Sequence, residues 1–208
     1  PSVCGRIPVH LDRFPYYNKE TYRVTPDQGF TVMFKKMTDN PLISFAYEVD
    51  YREVKNRISP RYATAYCGPI DEYFDYQLGH LPWRSLKFEF EIRKQKMVQP
   101  CSVLNFPNDH DYTRIFESKH TTHQDHPETV LSYDFPMATG EPYYPIPTAQ
   151  GKQMYEKYKV LADKEFREKR VLFVGRLAEY CYINTDQALE KGFQAFETLQ
   201  PFQGNPLY

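Results

Sequence analysis

The sequence predicts a mixed fold of the α/β and α+β classes, in which a partial α/β layer brackets a mostly antiparallel β-sheet. Helix-spaced and strand-like segments alternate at residues 29–49 and again at residues 154–196. Between them, residues 86–92 alternate between apolar and polar side chains, which is typical of a strand with one buried face. We expect four segments, with the boundaries 1–27 (irregular), 28–83 (α/β), 84–145 (antiparallel sheet) and 146–208 (α/β with a C-terminal helix).

The first α/β segment carries a helix signal followed by two strand signals. Gly29–Met37 has apolar residues at helical spacing, and Pro41 ends the predicted helix. Leu42–Val49 predicts one strand, and Tyr62–Cys67 predicts a second, buried one. The turn Gly68–Asp71 follows that second strand, and α/β sheets commonly bind ligands at the carboxyl ends of their strands.

The central segment predicts the antiparallel sheet. Leu86–Ile92 is its clearest strand, and the other candidates are Val98–Phe106, Tyr112–Phe116 and Thr129–Phe135. A histidine-rich run from His120 to His126 lies between the last two of these candidates and superficially resembles a metal site. An exposed polar loop is the simpler interpretation of that run.

The last segment returns to α/β character. Met154–Ala162 has helical spacing, and Arg170–Gly175 predicts a short apolar strand that ends at glycine. Asp186 is placed to cap a final helix. Among the acidic residues farther upstream, Asp71, Glu72 and Asp75 could suggest a carboxylate pair for glycoside hydrolysis, but turn and capping roles are more common for such residues.

Composition narrows the classes of function. Lys and Arg number 26 against 27 Asp and Glu, and this balance argues against a nucleic-acid binder that relies on a global positive field. The 18 tyrosines fit a sugar or nucleotide site, although a sheet-rich fold explains them more simply. Four widely spaced cysteines without a CxxC pair argue against a zinc site or a disulfide framework. Reduced thiols, no signal peptide and no long apolar run predict a cytoplasmic protein without a membrane segment.

Four ordered sequence blocks carry the functional signal. They are Arg6–Val9 with Tyr16–Tyr17, Gly68–Tyr76 with Trp83–Leu86, Tyr112–Ile115 with Glu141–Ile146, and Phe173–Tyr182 with Asp186–Ala188. In order and spacing, they resemble the UDP-galactopyranose mutase family over nearly the whole chain. The resemblance implies an isomerase that interconverts UDP-galactopyranose and UDP-galactofuranose.

The resemblance also implies a cofactor. The family uses reduced FAD, whose N5 attacks the anomeric carbon while UDP leaves, with no net redox change. The α/β segments are then part of a FAD-binding layer. The glycine-rich turn GxGxxG, which receives the pyrophosphate in such layers, is missing from the sequence. We therefore expect a C-terminal portion of a mutase, which by itself does not hold FAD tightly and is inactive.

The residues that the resemblance assigns to the substrate surround the UDP pyrophosphate. They are Arg6, Tyr17, Arg114, Tyr144 and Tyr182. Arginine is suited to this role because its guanidinium is always charged and grips phosphate oxygens with paired donors. No further catalytic side chain and no metal ligand are assigned.

A second group of residues is assigned to the flavin side. By the resemblance, Gly68, Arg176, Asn184 and Thr185 contact the cofactor. The family commonly has Asp-Met-Asp before the last helix, so Asn184 and Thr185 depart from its pattern. His10 departs as well, since the family often has Arg after Pro-Val.

Two other functions stay open at this point. One is a non-catalytic module that binds a nucleotide sugar or a partner protein, which the missing glycine-rich turn favours. The other is a different oxidoreductase with the two-part FAD fold, which the blocks around Arg114 and Tyr144 argue against. The expected ligands are UDP-galactose and UDP-galactofuranose, with no nucleic acid and no membrane, and an oligomer is compatible with the sequence.

Overall fold

The computed structural model describes residues 11, 13, 21–22 and 24–204 of the chain. Over these residues the protein is a mixed α and β structure with an antiparallel sheet, as predicted, and it divides into two compact units. Unit 1 contains the described residues up to Ala46 together with Leu86–Pro136, and unit 2 contains Tyr47–Ser85 together with the described residues from Met137 onward. Three residues discussed above, Arg6, His10 and Tyr17, lie outside the described residues.

The first helix of unit 1, α1, spans Gly29–Met37 and confirms the prediction for that segment. The strand predicted for Leu42–Val49 is wrong, because this segment forms turns and irregular backbone. The side chain of Asn40 accepts the backbone N–H of Leu42 at 2.9 Å, and the Asn40 carbonyl accepts the N–H of Ile43 at 2.9 Å. These local hydrogen bonds satisfy backbone groups that a strand would offer to a partner.

The sheet of unit 1 is built from β2 (Trp83–Arg93), β3 (Val103–Asn105), β4 (Arg114–Glu117) and β5 (Thr129–Met137). Strand β4 pairs antiparallel with β3 on one side and with β5 on the other, and β2 lies beside β5. All four strands were predicted. The long strand predicted for Val98–Phe106 shortens to β3, because the N–H groups of its first two residues donate to a side chain instead of a neighbouring strand.

That side chain belongs to Glu117, which is fully buried. Its carboxylate accepts the N–H of Gln99 at 2.7 Å and the N–H of Val98 at 3.0 Å. Burial alone would raise the pKa of Glu117, but the hydrogen bonds from the backbone N–H groups of Gln99 and Val98 oppose it, and the pKa is lowered. The carboxylate is therefore charged at neutral pH and organises the backbone before β3.

The histidine-rich run is the predicted exposed loop only from His123 to His126. Its first residues belong to the short helix α4 (Lys119–Thr122), and His120 bonds the carbonyl of Gln99 through Nε2 at 2.9 Å. The buried ammonium of Lys119 donates to the carbonyls of Lys96 at 3.0 Å, of Glu128 at 2.8 Å and of His126. Among the described residues, no group of His, Cys, Asp and Glu side chains is arranged to hold a metal ion.

Unit 2 contains a short parallel sheet and most of the helices. Its parallel strands are β1 (Thr64–Tyr66) and β7 (Val171–Phe173), and β6 (Tyr144–Pro145) pairs antiparallel with the first residues of β2. Its helices are α2 (Tyr51–Val54), α3 (Ile70–Tyr73), α5 (Ala149–Lys169), α6 (Thr185–Leu199) and the 3₁₀ turn Gln200–Phe202. The strand, glycine turn and helix order predicted for the C-terminal part is therefore confirmed.

Tyr158 of α5 lies at the centre of unit 2 and is fully buried. Its hydroxyl donates to the Gly79 carbonyl at 2.7 Å and accepts the Leu78 N–H at 3.1 Å. The core around it consists of Ile70, Leu81, Tyr158, Ala162 and Tyr180, with a second cluster of Tyr66, Val171 and Ala178. None of the described helices combines the length and apolar character needed to cross a membrane.

Candidate functional site

Three predicted site residues of unit 2 meet in one cluster. The guanidinium of Arg176 lies 4.8 Å from the ring centroid of Tyr182 and 5.6 Å from that of Tyr144. The two rings are stacked, with centroids 6.0 Å apart and planes inclined by 19°. A cation near the face of an aromatic ring is attracted by the ring quadrupole, so the contacts stabilise the charged group. Tyr182 is 45% exposed, so the cluster reaches the surface of unit 2.

Backbone carbonyls orient the guanidinium of Arg176. One Nη donates to the carbonyl of Ile183, and the other donates to that of Tyr143 at 3.5 Å. The preceding residue, Gly175, has φ +96°, a left-handed conformation that L side chains rarely adopt. The glycine therefore permits the turn that sends the chain from β7 back toward Tyr143.

The cluster lies beside the carboxyl ends of two neighbouring parallel strands. Tyr66, the last residue of β1, pairs with Phe173, the last residue of β7, and the N–H of Val174 donates to the Tyr66 carbonyl at 3.0 Å. Gly68 and Gly175 both follow directly beyond these strand ends. In α/β sheets this edge is the usual location of ligand sites.

Gly68 has a structural reason to be glycine besides its predicted role. A Cβ at this position would lie 2.4 Å from the hydroxyl of Tyr66, far inside van der Waals contact. Gly68 also lines a cleft of about 500 Å³ together with Cys67 and Arg52. The guanidinium of Arg52 pairs there with Glu72 at 3.0 Å.

The first turn of α6 contains the remaining predicted flavin-side residues. Asn184, and not Asp186 as predicted, is the N-cap of this helix, and Asp186 lies inside its first turn. The side chain of Gln187 accepts the backbone N–H of Asn184 at 2.9 Å, as in a capping box. The Asn184 N–H is thus engaged within the helix, whereas the family resemblance assigns backbone contacts at this turn to the cofactor.

Arg114 lies in unit 1 on β4, where its cross-strand partner is Asp134 of β5. The Nε of Arg114 donates to the Asp134 carboxylate at 2.6 Å, and an Nη contacts the same carboxylate. Asp134 is buried, while 40% of the Arg114 side chain is exposed. The pair therefore fixes the base of the arginine and leaves part of the side chain at the surface.

A profile of the family described as UDP-galactopyranose mutase matches residues 1–182 of the chain. The chain belongs to this family. Curated relatives include the UDP-galactopyranose mutases of Mycoplasma genitalium and Mycoplasma pneumoniae, each 31% identical, over 90% and 96% of this chain and 50% and 54% of their own. A dTDP-fucopyranose mutase of Escherichia coli is 30% identical over 93% of this chain and 53% of its own length. The chain spans about half the length of these relatives.

The resemblance to the mutase family identified the aromatic and cationic residues of the candidate site. It did not identify two acidic residues that orient the arginines through hydrogen bonds. The carboxylate of Asp134 accepts a hydrogen bond from Arg114. The carboxylate of Glu179 accepts the backbone N–H of Gly175, the residue before Arg176, at 2.7 Å. The sequence offers no signal for Asp134, because on β5 it lies on the face opposite the apolar Leu131 and Tyr133, where solvent exposure would be expected. No sequence pattern marks Glu179, because its partners are a backbone N–H and the side chain of Lys191, twelve residues away.

Proposed function

We propose that this chain forms the nucleotide-sugar side of a flavin-dependent mutase that interconverts UDP-galactopyranose and UDP-galactofuranose. Membership of the mutase family supports this proposal. The observation that carries it is the position of the Arg176 guanidinium beside the stacked rings of Tyr144 and Tyr182. A fixed positive charge next to two phenols suits the pyrophosphate of a nucleotide sugar, which accepts several hydrogen bonds.

In this proposal the tyrosine hydroxyls donate to the pyrophosphate oxygens, and Arg176 stabilises the negative charge that grows on UDP as the anomeric bond breaks. Arg114 of unit 1, held in place by Asp134, is the other described arginine that the proposal assigns to the substrate. A guanidinium offers paired N–H donors to phosphate oxygens, which suits both arginines to this role.

The residues around the strand ends fit one side of a flavin. Gly175, whose absent side chain leaves open space within 4 Å, and Gly68 follow the carboxyl ends of β7 and β1, where the cofactor of an α/β layer is expected. In the proposal, Arg176 and the turn at Asn184 and Thr185 contact that flavin. When bound in its reduced form, the flavin would supply the nucleophile for the anomeric carbon.

The base of the nucleotide is a separate question from its pyrophosphate. The Escherichia coli relative is named for a dTDP sugar, and a pyrophosphate is common to UDP and dTDP. The phosphate-directed cluster of Arg176, Tyr144 and Tyr182 serves either nucleotide, so UDP and dTDP are both included as probes.

The test is titration of the protein with UDP and dTDP, followed by assay of the complete gene product. We expect Arg176→Ala and Tyr182→Ala to weaken nucleotide binding at least tenfold, while Lys164→Ala on the exposed face of α5 leaves binding unchanged. Interconversion of the two UDP-galactose forms is expected only after the flavin is reduced. Unchanged binding in both cluster variants, or equal turnover with oxidised flavin, contradicts the proposal.

A further inference from the structure

The turn that presents Arg176 is held by one side chain, Glu179. The N–H of Gly175 donates to Oε2 of Glu179 at 2.7 Å, and the Gly175 carbonyl accepts the backbone N–H of Glu179 at 2.9 Å. Both polar backbone groups of the residue directly before Arg176 are therefore bound by Glu179. Because Gly175 has a left-handed φ, its backbone would otherwise have many accessible conformations.

The second carboxylate oxygen of Glu179 reaches the last helix. Lys191 of α6 donates to Oε1 at 2.6 Å. Both side chains are partly buried, at 29% and 26% exposure, so solvent screens this pair less than a fully exposed one. The hydrogen bond raises the pKa of Lys191, which agrees with a close, charged pair. One carboxylate thus connects the turn after β7 with α6.

The segment between these two anchor points contains two of the three residues of the phosphate-directed cluster, Arg176 and Tyr182. Arg176, Tyr182 and the N-cap of α6 all lie between Gly175 and Lys191 along the chain. Fixing both ends of a segment reduces the conformational freedom that a ligand must otherwise restrict on binding. A contact at its ends therefore acts on affinity without touching the ligand.

We infer that Glu179 is a positioning residue for the phosphate-directed cluster, and that Lys191 neutralises its charge so that an anionic ligand is not repelled. This inference rests on the proposed function of Arg176 and Tyr182. The field of Glu179 extends to the cluster: after burial, its carboxylate is the next cause that raises the pKa of the Cys181 thiol, beside Tyr182. A negative charge near an anion site opposes the binding of a pyrophosphate unless a cation compensates it.

Four variants separate this inference from a merely stabilising ion pair. Glu179→Ala removes both contacts, and we expect UDP affinity to fall about tenfold or more. Glu179→Gln keeps an oxygen acceptor for the Gly175 N–H, so its affinity should stay within about threefold of the wild type. Lys191→Met leaves the carboxylate unneutralised and should weaken UDP binding. Glu179→Gln combined with Lys191→Met removes that charge and should restore binding to the level of Glu179→Gln.

The measurement is UDP titration of each folded variant at low and moderate salt, with thermal unfolding recorded in parallel. Lys164→Met breaks the exposed pair of Lys164 with Glu168 and serves as the matched control. If the double variant binds UDP no better than Lys191→Met, Lys191 does not act by neutralising Glu179. If Glu179→Ala binds like the wild type, Glu179 has no positioning role. In both cases the proposed function stands as long as Arg176→Ala weakens binding. If Arg176→Ala also binds like the wild type, the proposed function fails, and this inference fails with it. Even if Glu179→Ala does not fold, a loss of more than about threefold in Glu179→Gln, or a double variant that binds no better than Lys191→Met, overturns the inference.

Discussion

Arg114 donates through Nε to the buried carboxylate of Asp134 on the adjacent strand, at 2.6 Å. Replacing Asp134 with Ala should therefore leave a partly buried guanidinium without its cross-strand partner. Because 40% of the Arg114 side chain is exposed, we expect a loss of about 1–2 kcal/mol in the free energy of unfolding, below the value for fully buried pairs. Denaturant unfolding measures the change. Glu89→Ala, which breaks an exposed pair with Lys87, should cost less than about 0.5 kcal/mol; equal losses in the two variants would argue against the role of Asp134.

The contact between Arg176 and Tyr182 can be measured by a double-mutant cycle. Arg176→Met and Tyr182→Leu each remove one partner, and the coupling free energy of unfolding should be about 0.5–1 kcal/mol, the range of an exposed cation–π pair. A matched cycle between Arg176 and the exposed Lys164 of α5, which pairs with Glu168, should give no coupling. A coupling near zero in the first cycle would mean that the two groups are neighbours without an energetic interaction.

Glu117 predicts a particular dependence of stability on pH. Its pKa is lowered in the folded protein, so its stabilising contribution is present above the ordinary value of 4.5 and is lost as the pH falls through the folded value. Glu117→Gln should cost about 1–3 kcal/mol at pH 7, since two backbone N–H groups lose a charged acceptor. The stability of this variant should also fall less steeply between pH 7 and pH 3 than that of the wild type. Denaturant unfolding at several pH values tests both points, with the exposed Glu53→Gln as control.

Two glycines should respond to alanine with opposite signs. Gly175 has φ +96° and Gly192 lies inside α6, and a Cβ added at either position would meet no heavy atom within 4 Å. Steric crowding is therefore equal, and backbone preference decides the outcome. Gly175→Ala should destabilise the protein by about 1 kcal/mol or more, while Gly192→Ala should stabilise it by about 0.5–1 kcal/mol. Thermal unfolding compares the two, and the same sign in both variants contradicts the expectation.

The buried hydroxyl of Tyr158 should contribute more to the free energy of unfolding than an exposed tyrosine hydroxyl does. Tyr158→Phe leaves the Gly79 carbonyl and the Leu78 N–H without their buried partner, so we expect a loss of about 1–3 kcal/mol. Tyr22→Phe is the control, because that side chain is 84% exposed. An equally small change in both variants would show that water replaces the hydroxyl in the core.

Much of the architecture could be predicted from local patterns. The helical spacing in Gly29–Met37 and the alternation in β2 each identified an element, because one face of each carries the apolar residues. The strand prediction at Leu42–Val49 was wrong for a reason that the amino-acid composition of the segment does not show. Apolar residues favour a strand only where a partner strand is present, and here the turn around Asn40 takes the backbone hydrogen bonds instead.

The candidate site was predicted in part for a related reason. Arg176, Tyr144 and Tyr182 are found through their sequence blocks, and unit 2 brings them together. Asp134 and Glu179 could not be found in that way, because they act through long-range or backbone contacts. A carboxylate that accepts a backbone N–H can come from many positions in the sequence, so no short sequence pattern identifies it.

The pairing of β1 with β7 has a consequence for the order of folding. These two short strands stand far apart in the chain, and all of Leu86–Pro136 lies between them. Bringing such distant segments together costs loop-closure entropy before any contact compensates it, so this parallel pair should form late. During synthesis, Tyr66 cannot pack against Val171 until that residue and α5 have left the ribosome. The antiparallel strands of unit 1 are complete before then. A nascent chain stalled so that Pro136 has just left the ribosome should accordingly protect unit 1 from proteolysis and leave Tyr47–Ser85 open to cleavage.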